Sequence, residues 1–216
     1  MPFSRTLAPA LAPDESELTA RMVGIGLAFA APSETDANIE DTLIFASSAG
    51  MDRGDLRVLG VLTTWLGVHA PRVLADRLVR LVTAHPSERV RAYWSGIARW
   101  LAKDRRFARL ERLPVRYGRV DLLPTGTEFQ VRRHGEDPRF TGSALRVPAN
   151  VLRDRAADVL PPAELARTHR AYRWRMVIGP TYRADMWAAL EADPQLPAAE
   201  LARRTYGSFP TAWCGS

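Results

Sequence analysis

The sequence predicts a mainly α-helical protein, with an antiparallel helical bundle on the N-terminal side and a helix-turn-helix at the C-terminal end. Three observations support this fold class. Leucine and valine recur at helical spacing over residues 56–101. The joints between these apolar segments are short, which favours antiparallel packing of neighbours. The last forty residues divide into three short segments separated by proline or glycine.

The predicted bundle begins with two helices and continues with three more. Residues 15–30 can form a helix that Pro32 prevents from continuing. Asp36 is placed to cap a second helix that runs to about Ser48. Pro71 suits the first turn of the fourth helix, and Ser87 can cap the fifth. The apolar stripes of the last three helices are Leu56, Leu59, Leu62 and Leu66; Leu74, Leu78, Leu81 and Val82; and Val90, Trp94, Ile97 and Leu101. The polar face expected for the fourth helix is Arg72, Asp76, Arg77 and Arg80.

These patterns divide the chain into three parts. Residues 14–112 form the predicted helical bundle domain. Residues 113–159, which carry four prolines and several glycines, are predicted to be a linker or extended arm. Within them, residues 127–133 alternate as in a strand, although a short helix fits equally well. Residues 160–216 form the predicted helix-turn-helix domain, which opens with a basic helix over residues 163–177 that contains Arg167, Arg170, Arg173 and Arg175.

The composition is that of an ordinary globular protein. Apolar residues make up 46% of the chain and charged residues 25%. The single Cys214 excludes an internal disulfide framework, so we expect a reducing, cytoplasmic location. Acidic residues precede the apolar run at 22–31, which argues against a signal peptide, and no run reaches the length of a membrane span. We therefore expect no contact with a membrane.

The charge of the chain is distributed unevenly. The formal net charge is +6, with −5 in residues 1–50, +7 in residues 51–112 and +4 in residues 113–216. A basic body suits a polyanionic partner, because clustered cations gain from the release of counterions. A GC-rich genome also produces such a composition, because only one of the thirty basic residues, Lys103, is a lysine. Both interpretations remain open.

The C-terminal pattern indicates two crossed helices and the start of a third. Residues 182–192 form the first predicted helix, and residues 198–205 form the second, with Leu201 and Ala202 facing inward. Ala202 is small enough for the two helices to approach closely at their crossing. Gly207 permits a sharp turn, after which Ser208 can cap a third helix.

The run at residues 200–204, followed by Ser208 and Thr211, resembles the helix-turn-helix of bacterial transcription regulators over about thirty-five residues. Two features of this sequence depart from that family. Tyr206 stands where the family has its turn glycine, and residues 208–216 contain no arginine, lysine, asparagine or glutamine to bond bases in pairs. More loosely, the layout of the whole chain resembles a bacterial antitoxin, in which a helical body binds a partner protein and one end binds DNA.

The resemblance implies a DNA-binding site. In the family, the third helix enters the major groove. Ser208 and Thr211 would then bond to base edges or phosphates, while Arg183, Arg203 and Arg204 would hold phosphates. We expect binding that depends steeply on salt and discriminates weakly among sequences. A helix-turn-helix that serves only as a packing module is the alternative.

Other residue clusters do not indicate catalysis. The basic tract over residues 99–112 is read as a solvated helix face or as a polyanion site. The four histidines lack metal-site spacing, so we expect no metal and no cofactor. The carboxylate pairs Glu40 with Asp41 and Asp158 with Glu164 are expected to be solvated, which would leave them unsuited to acid–base work. The tryptophans are expected to lie mostly in the core. We therefore expect no enzyme.

The sequence thus predicts a DNA-binding regulatory protein, of the kind exemplified by an antitoxin that represses its own operon. Its N-terminal helices would bind a protein partner or a second copy of the chain. A helical adaptor that binds protein without DNA is the rival prediction.

Overall fold

The mainly α-helical class predicted from the sequence is confirmed. The structure is a computed structural model that describes residues 11–113 and 118–207. In these ranges it has eleven α-helices and a two-stranded sheet. The helices are α1 Glu15–Gly24, α2 Ile39–Arg53, α3 Leu56–His69, α4 Ala75–Ala84, α5 Glu88–Trp100, α6 Ala108–Glu111, α7 Thr127–His134, α8 Pro162–Thr168, α9 Arg170–Ile178, α10 Tyr182–Ala192 and α11 Ala198–Arg204. The strands β1 Val120–Asp121 and β2 Leu145–Arg146 pair in parallel.

The first two helices differ from their predicted bounds. The helix α1 ends at Gly24, because the chain then turns at Gly26 (φ +90°) and pairs with the loop before α8. There the Leu160 amide donates to the carbonyl of Gly26 over 2.9 Å. The prediction that Asp36 caps α2 is wrong. Asn38 is the cap, and its side chain accepts from the amide of Asp41 over 3.0 Å.

The helices α3 and α5 form the centre of the core, as their apolar stripes predict. Trp65 and Trp94 are almost fully buried, and their indoles still find acceptors. The Trp65 indole donates to the carbonyl of Ile25 over 2.8 Å, and the Trp94 indole donates to Oγ of Ser47 over 3.0 Å. Buried indole N–H groups are therefore satisfied without water. The predicted N-cap of α5, Ser87, is confirmed.

The segment predicted as a linker or extended arm packs onto the bundle. It contributes to the same continuous core that α1 to α5 build, through buried side chains of Leu122, Phe140, Leu145, Val147 and Leu152. The ambiguous stretch at 127–133 lies within the helix α7. Prolines and glycines mark the turns of this segment correctly. The apolar residues between them follow neither helical nor strand spacing, because their packing partners lie on helices distant in sequence.

The C-terminal helices are attached to this core in two ways. Leu165 of α8 and Tyr172 of α9 belong to the main core. The helices α10 and α11 instead share a small cluster of Met186, Leu196 and Leu201. The bounds of α10 are those predicted, and α11 ends one residue earlier than predicted. In the described part of the chain, no helix combines the length and the apolarity that crossing a membrane requires.

A buried histidine joins α3 to the C-terminal part. The Nε2–H group of His69 donates to the carbonyl of Leu160 over 3.0 Å, because a carbonyl can only accept. The Nδ1 atom then accepts from the hydroxyl of Tyr172 over 2.7 Å. Burial lowers the pKa of His69 to about 4, although the hydrogen bond to Leu160 opposes this shift.

We predict that Gly96→Ala destabilises the protein. A Cβ atom at position 96 would lie 2.5 Å from a ring carbon of Phe140. The overpacking should cost about 1–3 kcal/mol and outweigh the gain of up to ~1 kcal/mol usual for Gly→Ala in a helix. Urea unfolding measures the difference, and the cost should shrink in a Phe140→Leu background. A stabilising Gly96→Ala would show that Phe140 does not pack on α5.

We also predict a loss of stability in acid that depends on His69. Its folded-state pKa lies below the ordinary 6.5, so the unfolded chain takes up the proton first as the pH falls. The free energy of unfolding should therefore decrease between pH 6.5 and about 4, by about 3 kcal/mol from this group. Urea unfolding across this range should give a flatter profile for His69→Gln, which preserves a donor and an acceptor. The profile of His134→Gln, at an exposed position, should match the wild type.

Candidate nucleic-acid interface

The helices α10 and α11 form a compact pair around few apolar contacts. Thr181 caps α10, and Pro197 precedes the first residue of α11. Between the helices lie the buried side chains of Met186 and Leu201, with the half-buried Ala202 packed against them. Leu201 and Ala202 thus both face the neighbouring helix, as the sequence predicts.

The chain turns after α11 through a left-handed residue. Tyr206 has φ +56°, at the position where regulators of the resembled family carry a glycine. A side chain in this conformation costs about 1–2 kcal/mol. Contacts with the body offset that cost. The Tyr206 hydroxyl donates to Oδ2 of Asp41 over 2.9 Å, and the guanidinium carbon of Arg77 lies 3.2 Å from the ring centre.

Two of the predicted phosphate contacts lie next to each other at the end of α11. The side chains of Arg203 and Arg204 are 70% and 53% exposed, and both bind Glu200 of the same helix. The two distances are 2.6 and 2.7 Å. Hydrogen bonds from Arg203 and then Arg204 lower the pKa of Glu200 to about 2. The two arginines and the ionised Glu200 together therefore present a net charge near +1.

The other predicted contacts are not joined to this pair. Arg183 is exposed on α10 and has no hydrogen bond or ion pair with any residue that the structure describes. Ser208 and Thr211 lie outside the described residues, as does the predicted third helix. The geometry available for a DNA contact is therefore that of α10, α11 and the turn at Tyr206.

A buried ionic network anchors these helices to the body. The guanidinium of Arg175 on α9 donates to both oxygens of Glu40, over 2.7 and 3.0 Å. It also donates to both oxygens of Asp185 on α10, over 2.7 and 2.8 Å. Burial alone lowers the pKa of Arg175, but the charges of Asp185 and Glu40 raise it above its usual range. One side chain thus joins α2, α9 and α10.

A second buried pair lies beside the first. Arg77 of α4 forms an ion pair with Asp41, which also accepts the hydroxyl of Tyr206. Burial raises the pKa of Asp41 above its usual value, and the charge of Arg77 and the hydroxyl of Tyr206 offset only part of this shift. These two networks tie the start of α2 to α4 and to the turn that follows α11.

The networks correct several sequence-based expectations. Glu40 and Asp41 were expected to be solvated, and Arg77 was expected on a polar face, but all three are buried. Arg175, one of the arginines of the predicted basic helix, is also buried. Each charge is buried because a partner from a distant helix neutralises it. The one local sign of this burial in the sequence is that apolar residues of α2 stand on both sides of Glu40 and Asp41.

A cleft lies beside the network. About 280 Å³ lies between the start of α2 and α9–α11, where His169, Arg175 and Arg204 contribute to the lining. The Nε2–H of His169 donates to the carbonyl of Ala37 over 2.9 Å, and its Nδ1 accepts the amide of Tyr172 over 3.1 Å. Both ring nitrogens are therefore occupied. Among the described residues, no group of three or more acidic, histidine or cysteine side chains could hold a metal ion.

The basic tract over residues 99–112 divides into two sets. Arg99 pairs with Glu111, and Arg106 pairs with Asp104. The exposed cations that make no ion pair within the described residues are Lys103, Arg105, Arg109 and Arg112. The first set fixes local structure, and the second set is exposed to solvent.

Comparisons with protein-family models, with curated proteins and with solved structures gave no match. A function for this chain therefore has to be inferred from its own residues.

We predict that Arg175→Met destabilises the protein by about 3–5 kcal/mol, because it leaves Glu40 and Asp185 buried without a counter-charge. The matched control is Arg173→Met on the same helix. Arg173 pairs with Glu191 at the surface, and exposed pairs contribute about 0–1 kcal/mol. Urea unfolding of both variants measures the difference. Equal losses in the free energy of unfolding would mean that the buried network contributes no more to stability than the surface pair.

Proposed function

We propose that this chain is a DNA-binding regulatory protein whose C-terminal helices contact the phosphate backbone. The observation that carries the proposal is the left-handed turn at Tyr206, directly after the helices α10 and α11, which pack together around Met186 and Leu201. A helix-turn-helix needs this backbone geometry whether or not glycine supplies it. The antitoxin-like layout suggests the more specific role of repressing its own operon, with a partner protein bound elsewhere on the helical body.

The phosphate contacts in this proposal are Arg203 and Arg204. Both side chains are exposed on α11, Arg203 on the side away from the buried Leu201 and Arg204 at the edge of the cleft beside α2. Their ion pairs with Glu200 are at the surface, where such pairs contribute little. A phosphate can therefore compete with Glu200 for the two guanidinium groups. Ser208 and Thr211 would add contacts from the third helix.

The second candidate is a helical adaptor that binds protein without DNA. The observation that favours it is the pairing of Glu200 with Arg203 and Arg204. Glu200 already occupies both arginines, and it places a negative charge where a phosphate would lie. The two candidates therefore differ in what Glu200 does, which makes this residue the best point for a test.

We predict opposite effects of two changes on DNA affinity. Glu200→Gln removes the competing carboxylate and should tighten binding about two- to tenfold, since each exposed ion pair contributes up to ~1 kcal/mol. The double variant Arg203→Ala with Arg204→Ala should weaken binding and reduce the slope of log affinity against log salt by about 2. Mobility-shift assays with DNA from upstream of the gene, over a salt series, measure both effects.

The helix α7 provides matched controls. Glu128 pairs with Arg132 across one turn, as Glu200 pairs with Arg204, and Arg133 is an adjacent exposed arginine. Glu128→Gln, and Arg132→Ala with Arg133→Ala, change the net charge equally but should leave affinity near that of the wild type. Absence of binding at low salt would reject the DNA-binding proposal. Equal effects at α7 and α11 would reject the assignment of the site to α11.

A further inference from the structure

One face of α10 carries three exposed residues in a row. Arg183, Trp187 and Glu191 are spaced four residues apart, so they lie along one line on the helix surface. Other sides of the helix are buried, through Ala184, Asp185, Met186 and Ala188. The exposed line therefore has a cation at one end, an aromatic ring in the middle and a carboxylate at the other end.

The helix α9 extends this face with apolar surface. Trp174 stacks on Trp187, with ring centres 5.6 Å apart and an angle of 24° between the planes. Val177 and Ile178, one turn further along α9, are 71% and 42% exposed, and Trp187 is 40% exposed. Exposed tryptophans with neighbouring aliphatic side chains are typical of protein–protein contacts. Trp187 is therefore a tryptophan that lies outside the core, in which the sequence predicts most of them.

The charges at the two ends differ in their local partners. Glu191 accepts from Arg173 over 2.5 Å and from the indole of Trp174 over 2.8 Å. These bonds hold the carboxylate at the edge of the tryptophan pair. Arg183 has no such partner among the residues that the structure describes. The face thus offers an uncompensated cation to any molecule that covers Trp187.

This line of charges is complementary to itself. When two copies of α10 pack antiparallel about a two-fold axis at Trp187, each end lies about 6 Å from the centre along the helix. Arg183 of each copy then faces Glu191 of the second copy. Both ends are matched by one symmetry operation, as an isologous interface requires.

We infer that the exposed face of α9 and α10 is the interface of a two-fold symmetric homodimer. Its centre is the Trp174–Trp187 stack from each copy, and its rim is two Arg183–Glu191 ion pairs between copies. A nucleic acid fits this face less well, because the carboxylate of Glu191 would repel a phosphate next to the tryptophans. The inference gives Arg183 a protein contact in place of the phosphate contact predicted from the sequence.

This interface also differs from the self-association through the N-terminal helices that the sequence suggests. It does not rest on the proposed DNA contact, which uses Arg203 and Arg204 on α11. A protein that dimerises through α10 but does not bind DNA would reject only the proposed function. A DNA-binding monomer would reject only the dimer.

Charge reversal provides the test. Sedimentation velocity over a concentration series should show the wild-type chain as a dimer at high concentration. Arg183→Glu alone places two acids opposite each other at both ends of the interface, and Glu191→Arg alone places two bases there. Each reversal should raise the dimer dissociation constant at least about tenfold. An equal mixture of the two variants should form a heterodimer, because both of its rim pairs again join opposite charges.

The mixture separates the interface from an effect on folding. Glu191→Arg also removes the contacts of Glu191 within its own chain, but a misfolded variant would not recover dimerisation when mixed. Circular dichroism checks each fold, and Trp187→Ala tests the centre of the interface without a change in charge. Arg133→Glu, an equal charge change on α7, should leave the dimer intact. A wild type that stays monomeric, or variants that dimerise as well alone as when mixed, would overturn the inference.

Discussion

The C-terminal half of this protein depends on one buried guanidinium. Arg175 gives four hydrogen bonds to Glu40 and Asp185, and so joins α2, α9 and α10 through one side chain. Burying three charges costs desolvation that their attraction only partly repays. The benefit of such a network is geometric. Two bidentate pairs fix the orientation of both helices in a way that interchangeable apolar contacts do not.

The neighbouring pair extends this constraint to the end of α11. Asp41 is held by Arg77 and receives the hydroxyl of Tyr206, the residue whose left-handed backbone forms the turn. The conformation of the turn is thus coupled to the start of α2 rather than set by local sequence alone. A glycine would adopt this backbone without strain but would lose the connection to the body. The departure from the family pattern at position 206 therefore has a structural reason.

Local signals in the sequence predict much of the helical fold. The bounds of α10 and the Ser87 cap of α5 follow from proline, serine and the spacing of apolar residues, all of which act within a few positions. The burial of Glu40 and Arg175 could not be predicted in this way. Each looks like a surface residue until its partner, 135 residues away, is known. Phe140 was missed for a related reason, because the glycine that receives its ring lies on α5.

The candidate site likewise has features that local sequence predicts and features that only the structure reveals. The exposed arginines of α11 are visible in the sequence, but their engagement by Glu200 depends on the helix being formed. The pairing of Trp174 with Trp187 also required the antiparallel arrangement of α9 and α10. Local periodicity therefore finds which residues face outward, whereas the structure decides which of them compete with each other and which cooperate.

The chemistry of Arg175 also bears on the unusual composition of the chain. Lysine occurs once among thirty basic residues, which nucleotide composition alone could produce. At the surface, arginine and lysine are largely exchangeable, so drift in base composition is free to replace one with the other. At position 175 the single ammonium group of a lysine could not donate in one plane to two carboxylates from two helices. Relatives encoded by AT-rich genomes should therefore have lysine in place of their surface arginines but retain arginine at position 175. Such sequences would show that the guanidinium, and not only its positive charge, is required there.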